Sequence, residues 1–274
     1  MKPLLLSLLL IPFLLTGQSL RVMTYNIRYD NPKDGTNNWQ MRKKELVDQI
    51  DKLHPQIFGI QEGLYHQTKF IDSAFVKYTY IGVGREDGKI KGEFAAIFYD
   101  STKFELKNSD TFWLSETPNA PSAGWDAYHK RICTYGCFLH KKTDQEFWVF
   151  NVHLDHAGSK SRKNSAKLLL KTINYLVDEN IPVFVMGDFN CNPSDAPIKI
   201  MKKELKDAFK FADKNNSQVD GTFNNFDISF TPEDRIDYIF VKNIKLKRYE
   251  HRNDRRIDGY FFSDHLPVFV DFNF

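Results

Sequence analysis

Apolar residues gather in short runs punctuated by polar turns, and the runs carry two periods. Residues 20–27, 57–61, 93–99, 131–139, 146–154, 182–186, 236–241 and 267–272 are apolar stretches of strand length. The polar turn from Lys141 to Gln145 joins two of them, 131–139 and 146–154. A helical period appears in residues 39–53, where Leu46, Val47, Ile50 and Leu53 share one face. It returns more strongly in residues 161–179, with Leu168, Leu169, Ile173, Leu176 and Val177 on the buried side. Eight strand candidates against two helices predict a strand-rich α/β domain.

No segment repeats another, and no linker divides the chain, so a single domain is expected. Its longest irregular stretch is residues 115–129, and long ordered loops in compact domains often carry function. At the N-terminus, Met1-Lys2-Pro3 precedes a nearly unbroken apolar stretch from Leu4 to Leu15 and then Thr16-Gly17-Gln18-Ser19. That order is characteristic of a secretory signal. Twelve residues fall short of the about 20 that cross a bilayer, so no membrane anchor is expected. Residues 1–19 are therefore read as a signal peptide and 20–274 as the mature domain, secreted or periplasmic.

Composition adds two constraints. With 42% hydrophobic residues and 15% aromatics, 274 residues bury a sizeable core, which argues against disorder. The 38 Lys plus Arg nearly balance 35 Asp plus Glu, and a formal charge of +3 gives little reason for indiscriminate binding to a nucleic-acid polyanion. Cys133, Cys137 and Cys191 are expected to pack unpaired, since the first two lie four apart along one strand and no zinc spacing accompanies them.

Polar residues recur where apolar runs end. Asn26 closes the first strand, Glu62 follows 57–61, and Asp188 and Asn190 follow 182–186. Asn151, His153 and Asp155 alternate with Phe150, Val152 and Leu154, while Asp237 and the pair Asp264-His265 introduce the last two strands named. Each residue taken singly has a structural reading as a strand edge, a turn former or a buried histidine. Together they supply hard oxygen ligands, a histidine to manage a proton and a carboxylate to orient it. Such a set suits Mg²⁺ or Mn²⁺ and attack by water on phosphorus.

The segments MTYNIR, IQE, NVHLDH, GDFN, RIDYIF and SDHLP, in that order, resemble the endonuclease/exonuclease/phosphatase superfamily and span most of the mature chain. The resemblance implies a four-layered α/β sandwich of two packed, mainly antiparallel mixed sheets flanked by helices, with the site at one end. It implies Glu62 as the principal metal ligand, with Asp264 and Asn26 completing the metal set. Asp188, helped by Asn190, resembles the residue that prepares the attacking water. His265 resembles the histidine on the scissile phosphate, oriented by Asp237, and His153 a second histidine near the leaving group. Arg28 stands where the repair branch carries an acid, so a second metal ligand is absent there.

Residues 112–136 resemble a bacterial secreted branch of the superfamily. Arg131 is either a phosphate contact, matching guanidinium to phosphate oxygens, or a surface arginine at a strand start. Trp125 and Tyr128 either stack on a base or sugar or anchor the loop. Asn26, Arg131 and Asn151 make up the expected substrate contacts. The expected activity is that of a metal-dependent phosphoesterase acting on a small phosphorylated metabolite or headgroup. A secreted nuclease and a catalytically silent binding protein are the alternatives; nucleic acid is the less favoured partner because basic residues are scattered.

Overall fold

The computed structural model describes residues 19–274, so the expected signal peptide lies, apart from Ser19, outside the described residues. The first strands are β1 (Leu20–Asn26), β2 (Ile57–Gln61), β3 (Tyr78–Ile81), β4 (Ile97–Asp100), β5 (Phe104–Trp113), β6 (Ile132–His140) and β7 (Gln145–His153). They are followed by β8 (Val183–Asp188), β9 (Lys206–Asp207), β10 (Lys214–Asn215), β11 (Asp237–Lys242), β12 (Leu246–His251) and β13 (Val268–Phe272). Seven form one sheet in the order β10-β12-β13-β1-β2-β4-β3, and six form the other in the order β5-β6-β7-β8-β11-β9. Pairings are mostly antiparallel, with β1–β2, β7–β8 and β10–β12 parallel.

Helices α1 (Trp39–Leu53) and α2 (Tyr65–Ala74) cover the outer face of the first sheet, and α3 (Ser159–Leu176) and α4 (Ala196–Met201) cover that of the second. The expected four-layered sandwich is thus the observed one. Period-2 alternation sorts the side chains. In β8, Val183 and Val185 pack under α3 while Phe184 and Met186 face the opposite sheet. β1 splits likewise, with Leu20 and Val22 inward and Met23 and Tyr25 toward the helices. Burying each large side chain between the sheets contributes about 1.5–3 kcal/mol.

This alternation also places the polar residues. Asn26, Gln61, Asn151, His153, Asp188 and Asp237 share parity with the inward apolar residues of their strands, so they continue the inter-sheet layer after it turns polar. Register lines three of them up: Asp188 pairs with Asp237 on one side and His153 on the other.

Some elements depart from the sequence pattern. The strand expected over 93–99 begins only at Ile97, because Glu93 O accepts from Arg85 N, and Phe94 forms isolated bridges with Gly63 and Gly84. The helix expected over 161–179 starts at Ser159 and stops at Leu176. Its start is set by Asp126, whose carboxylate accepts from Lys160 N and Ser161 N, a cap too distant in sequence to read locally. β5 and β12 escaped notice because both are largely polar, and β5 is an edge strand. The three cysteines are free and buried, as expected. Among the described residues no helix is long and apolar enough to cross a membrane.

Candidate active site

Where the inward rows turn polar, the chain leaves its strands by sharp bends. Arg28, Glu62 and Asn190 follow the ends of β1, β2 and β8 with φ of 57°, 64° and 47°. Left-handed backbone costs a non-glycine residue about 1–3 kcal/mol and persists where its surroundings demand it. Here it turns each side chain back over the end of the sandwich. Gly187 has φ 144°, and a Cβ there would stand 1.9 Å from Val152 O, so only glycine lets β8 approach β7 beside Asp188.

Asn26 sits at the centre, fully buried. Its Nδ2 donates to Glu62 Oε1 and to Asp188 Oδ2, both at 3.0 Å, and lies 3.4 Å from His265 Nε2. Its Oδ1 accepts from Arg28 N at 3.0 Å. The second oxygen of Glu62 accepts from Tyr29 N at 3.1 Å. Asp188 is held by Asn190 N, 2.9 Å from Oδ1. His265 Nδ1 meets Asp237 Oδ2 at 2.8 Å, which leaves Nε2 pointing at Asp188 Oδ2, 3.8 Å away.

Protonation follows from these neighbours. Burial opposes a charged His265, but the carboxylates of Asp237 and Asp188 outweigh it and hold the ring protonated well above the ordinary histidine range. Burial, reinforced by Asp237 and opposed by His265, pushes Asp188 up to about 7. Burial also opposes ionisation of Glu62, yet His265, the Asn26 amide and Arg28 together keep it below the usual carboxylate value. His153 is kept neutral by burial, with Arg131 and Arg85 adding to the effect.

One donor atom each from Glu62, Asp188 and His265 lies within 4.8 Å of the other two. Two carboxylates so close together fit a divalent cation, with the protonated imidazole as a hydrogen-bond donor beside them. The metal set expected from sequence was Glu62, Asp264 and Asn26. Of these, Glu62 lies in that group, Asp264 lines the cleft with Oδ2 3.5 Å from Arg28 Nη1, and the Asn26 amide donates to the Glu62 and Asp188 carboxylates. The expected pairing of Asp237 with His265 is present.

The cleft over these groups has a volume of about 390 Å³. Glu62, Asp188, Asn190, Asp264, His265 and Arg131 line it, as does His153. Asn190 Nδ2 donates to Leu154 O at 3.0 Å and reaches His153 Nε2 at 3.2 Å. Arg131 is buried rather than a surface arginine. Its Nη1 lies 3.0 Å from both ring nitrogens of His153, and its Nε 3.4 Å from Asp155.

Asn151, expected to touch substrate, does not reach the cleft. Its side chain ties the sheets together, accepting from Gln61 Nε2 at 2.6 Å and donating to Ile60 O and Ala96 O at 2.9 Å. Gly59 makes room for it, since a Cβ there would come within 2.6 Å of the Asn151 amide.

Several residues of the site had no signal assigned in the sequence. Glu93 lines the cleft and accepts from Arg85 Nη1 at 2.6 Å; burial, partly offset by Arg85, raises its carboxyl. Its position inside an apparent strand disguised it. Arg42 is fully buried in α1 and donates to Ile27 O at 2.6 Å, Arg28 O at 2.7 Å and Phe262 O at 3.2 Å, clamping two site loops. His129 and His156 also line the cleft, and they lie within motifs that the sequence did display.

Comparison with known proteins agrees with this geometry. A mannosyl-6-phosphatase from Bacteroides thetaiotaomicron is 41% identical, superposes with a TM-score of 0.89, and the match covers 93% of this chain and all of that one (100%). An uncharacterised mimivirus protein, L388 of Acanthamoeba polyphaga mimivirus, is 30% identical over 85% of this chain and 92% of its own. TDP2 of D. rerio, solved with a single-strand DNA product, shares the fold at 16% identity and a TM-score of 0.72, over 94% of this chain and 100% of its own. The model of the Endonuclease/Exonuclease/phosphatase family matches residues 23–265, from the strand carrying Asn26 to His265 itself. With the family's span and the convergent carboxylates and histidine in agreement, this chain belongs to the Endonuclease/Exonuclease/phosphatase family and is a metal-dependent phosphoesterase.

Proposed function

We propose that the protein is a phosphatase that hydrolyses a small phosphorylated sugar or a comparable metabolite by in-line attack of water, with Mg²⁺ or Mn²⁺ as its cation. The observation that carries this reading is the compact cleft of about 390 Å³, with its phosphate-handling groups gathered at His265, Asp188 and Asn190. Such a space takes one small ester and grips one phosphoryl group. The likeness to a mannosyl-6-phosphatase over almost the whole chain supports the same class. A formal charge of +3 also argues against reliance on a polymer's many phosphates.

Glu62, with Asp188 beside it, would hold the cation, which when bound would polarise the phosphoryl group and offset its charge. The chain's own groups do the rest. Asp188, pushed up to about 7, accepts the proton of the attacking water, and Asn190 N fixes the carboxylate that does so. The protonated His265 donates from Nε2 to a phosphoryl oxygen while Asp237 holds its other nitrogen. Neutral His153, seated between Arg131 and Asn190, hydrogen-bonds the departing oxygen. Water adds to phosphorus and gives its proton to Asp188, the ester oxygen leaves and takes a proton from solvent water, and the products are an alcohol and phosphate.

Secretion belongs to this proposal and is supported by Lys2 followed by the apolar stretch from Leu4 to Leu15. The test is phosphate release by the purified protein with Mg²⁺ or Mn²⁺ from mannose 6-phosphate, alongside cleavage of DNA and RNA at low and moderate salt. Release from the sugar phosphate is expected. Rapid, salt-sensitive cleavage of polymer with negligible release from small esters would make a secreted nuclease the correct reading.

A further inference from the structure

A run of contacts crosses the cleft away from the attacking groups. His265 faces Asp188, Asp188 lies 3.5 Å from His153, Arg131 lies 3.0 Å from that ring, and Arg131 Nη2 lies 3.2 Å from His156 Nδ1. His156 is therefore three side chains removed from the group that handles water, and His129 lines the cleft with it. Tyr128, 71% exposed, packs against both rings, with centroids 4.7 Å from His129 and 5.6 Å from His156.

This cluster is built rather than accidental. The fully buried carboxylate of Asp155 accepts from Tyr128 N at 3.2 Å, His129 N at 3.1 Å, Ala157 N at 3.1 Å and Gly158 N at 2.7 Å. One side chain thus pins residues 128–129 and 157–158 together beneath the three rings. Asp126 secures the same loop a second time at the start of α3. The rings are preorganised, and their nitrogens are largely unspent. Among the described residues the His129 ring has no hydrogen-bonded partner, and His156 uses only Nδ1.

We propose that Tyr128, His129 and His156 form the leaving-group subsite, and that it takes a hydroxylated ring, a sugar, whose phosphate reaches Asp188 and His265. The proposal rests on the phosphatase reading above. Imidazole nitrogens and a phenol offer both donors and acceptors, which is what sugar hydroxyls require. The alternative occupant of such a site is a nucleobase, which binds by stacking on an aromatic face or between two of them. Here Tyr128 stands at 87° to His129 and 71° to His156, and the two imidazoles lie 5.7 Å apart at 39°, so no pair of rings makes a slot for a flat base, while ring nitrogens stay open to hydroxyls.

The experiment compares kcat/KM of wild type, Tyr128→Phe, Tyr128→Ala, His129→Ala and His156→Ala on mannose 6-phosphate, acetyl phosphate and adenosine 5′-monophosphate with Mg²⁺. Acetyl phosphate reaches the phosphoryl end without supplying a ring. The alanine variants are expected to lose at least about tenfold more on mannose 6-phosphate than on acetyl phosphate, through KM, as removal of one good hydrogen bond implies. Equal losses on both, or none, would overturn the subsite while leaving the phosphatase reading intact. Selective loss on the nucleotide would overturn the sugar and make the site a base platform. A wild type that does not prefer mannose 6-phosphate over acetyl phosphate would instead overturn the sugar-phosphate reading on which the proposal rests. Unfolding midpoints of all variants, measured alongside, separate these effects from misfolding.

Discussion

Nδ1 of His265 stands 2.8 Å from Oδ2 of Asp237, across 28 residues of sequence and at the junction of the two sheets. The contact fixes the ring, leaves Nε2 to face Asp188, and keeps the imidazole protonated. Replacing Asp237 with asparagine retains the shape and removes the charge.

Asp237→Asn is expected to lower kcat by about 10–100-fold, the usual cost of losing an orienting partner. His265 is raised in the folded protein, so its useful protonated form is lost as pH rises through its folded pKa. Without the Asp237 charge that pKa falls. The alkaline limb of the pH–kcat profile should therefore move to lower pH, and an unmoved limb would contradict the assignment.

Glu62→Gln is expected to abolish most turnover while keeping the unfolding midpoint near that of wild type, because Glu62 lies at the surface of the site and converges with Asp188 and His265. Wild-type activity should disappear in excess chelator and return with Mg²⁺ or Mn²⁺. Activity undiminished in chelator would sink the metal mechanism.

Asp188→Asn is expected to depress kcat by about 10²–10⁴ with little change in KM, the loss typical of a missing general base. His153→Ala should cost less. Steady-state kinetics on one phosphate ester decide the matter, and a near-normal Asp188→Asn beside a dead His153→Ala would reverse the two roles.

Asn151→Ala tests a structural role instead. It removes one hydrogen bond each from Gln61 Nε2, Ile60 O and Ala96 O in the closed space between the sheets, although Gln61 Nε2 keeps Thr24 Oγ1 and Ala96 O keeps Ile60 N. Losing these buried hydrogen bonds costs about 1–3 kcal/mol, so denaturant unfolding should show a loss of that size. A stability near wild type with a raised KM would return Asn151 to the substrate contacts.

His251 gives the fold a pH dependence of its own. Burial, aided by the Arg235 charge, lowers its pKa to about 3, and its ring is bonded to the Tyr249 hydroxyl and stacked on Phe209. A free histidine titrates near about 6.5, so between these values the unfolded chain binds the extra proton. Stability is therefore lost as pH falls from about 6.5 toward 3, with a slope of up to about 1.4 kcal/mol per pH unit from this residue. Urea midpoints across that range should fall less steeply in His251→Gln than in wild type.

The sequence by itself determined the inner strands, the helical faces of α1 and α3 and the positions where apolar rows turn polar, because period-2 and 3.6 patterns are local consequences of burial. It also displayed Glu62, Asp188, Asp237 and His265, since each terminates or introduces an apolar run. Only the tertiary structure decided what each one does. Asn26 and Asn151 look alike in sequence, each closing an alternating row, yet one aligns two carboxylates and the other rivets two sheets. Glu93 and Arg42 were invisible because their partners lie on other elements, and Asp126 caps a helix 34 residues away. Periodicity reports which face of an element is buried. Which carboxylate meets which histidine depends on sheet register and on the left-handed bends at Arg28, Glu62 and Asn190, which are set by neighbours distant along the chain.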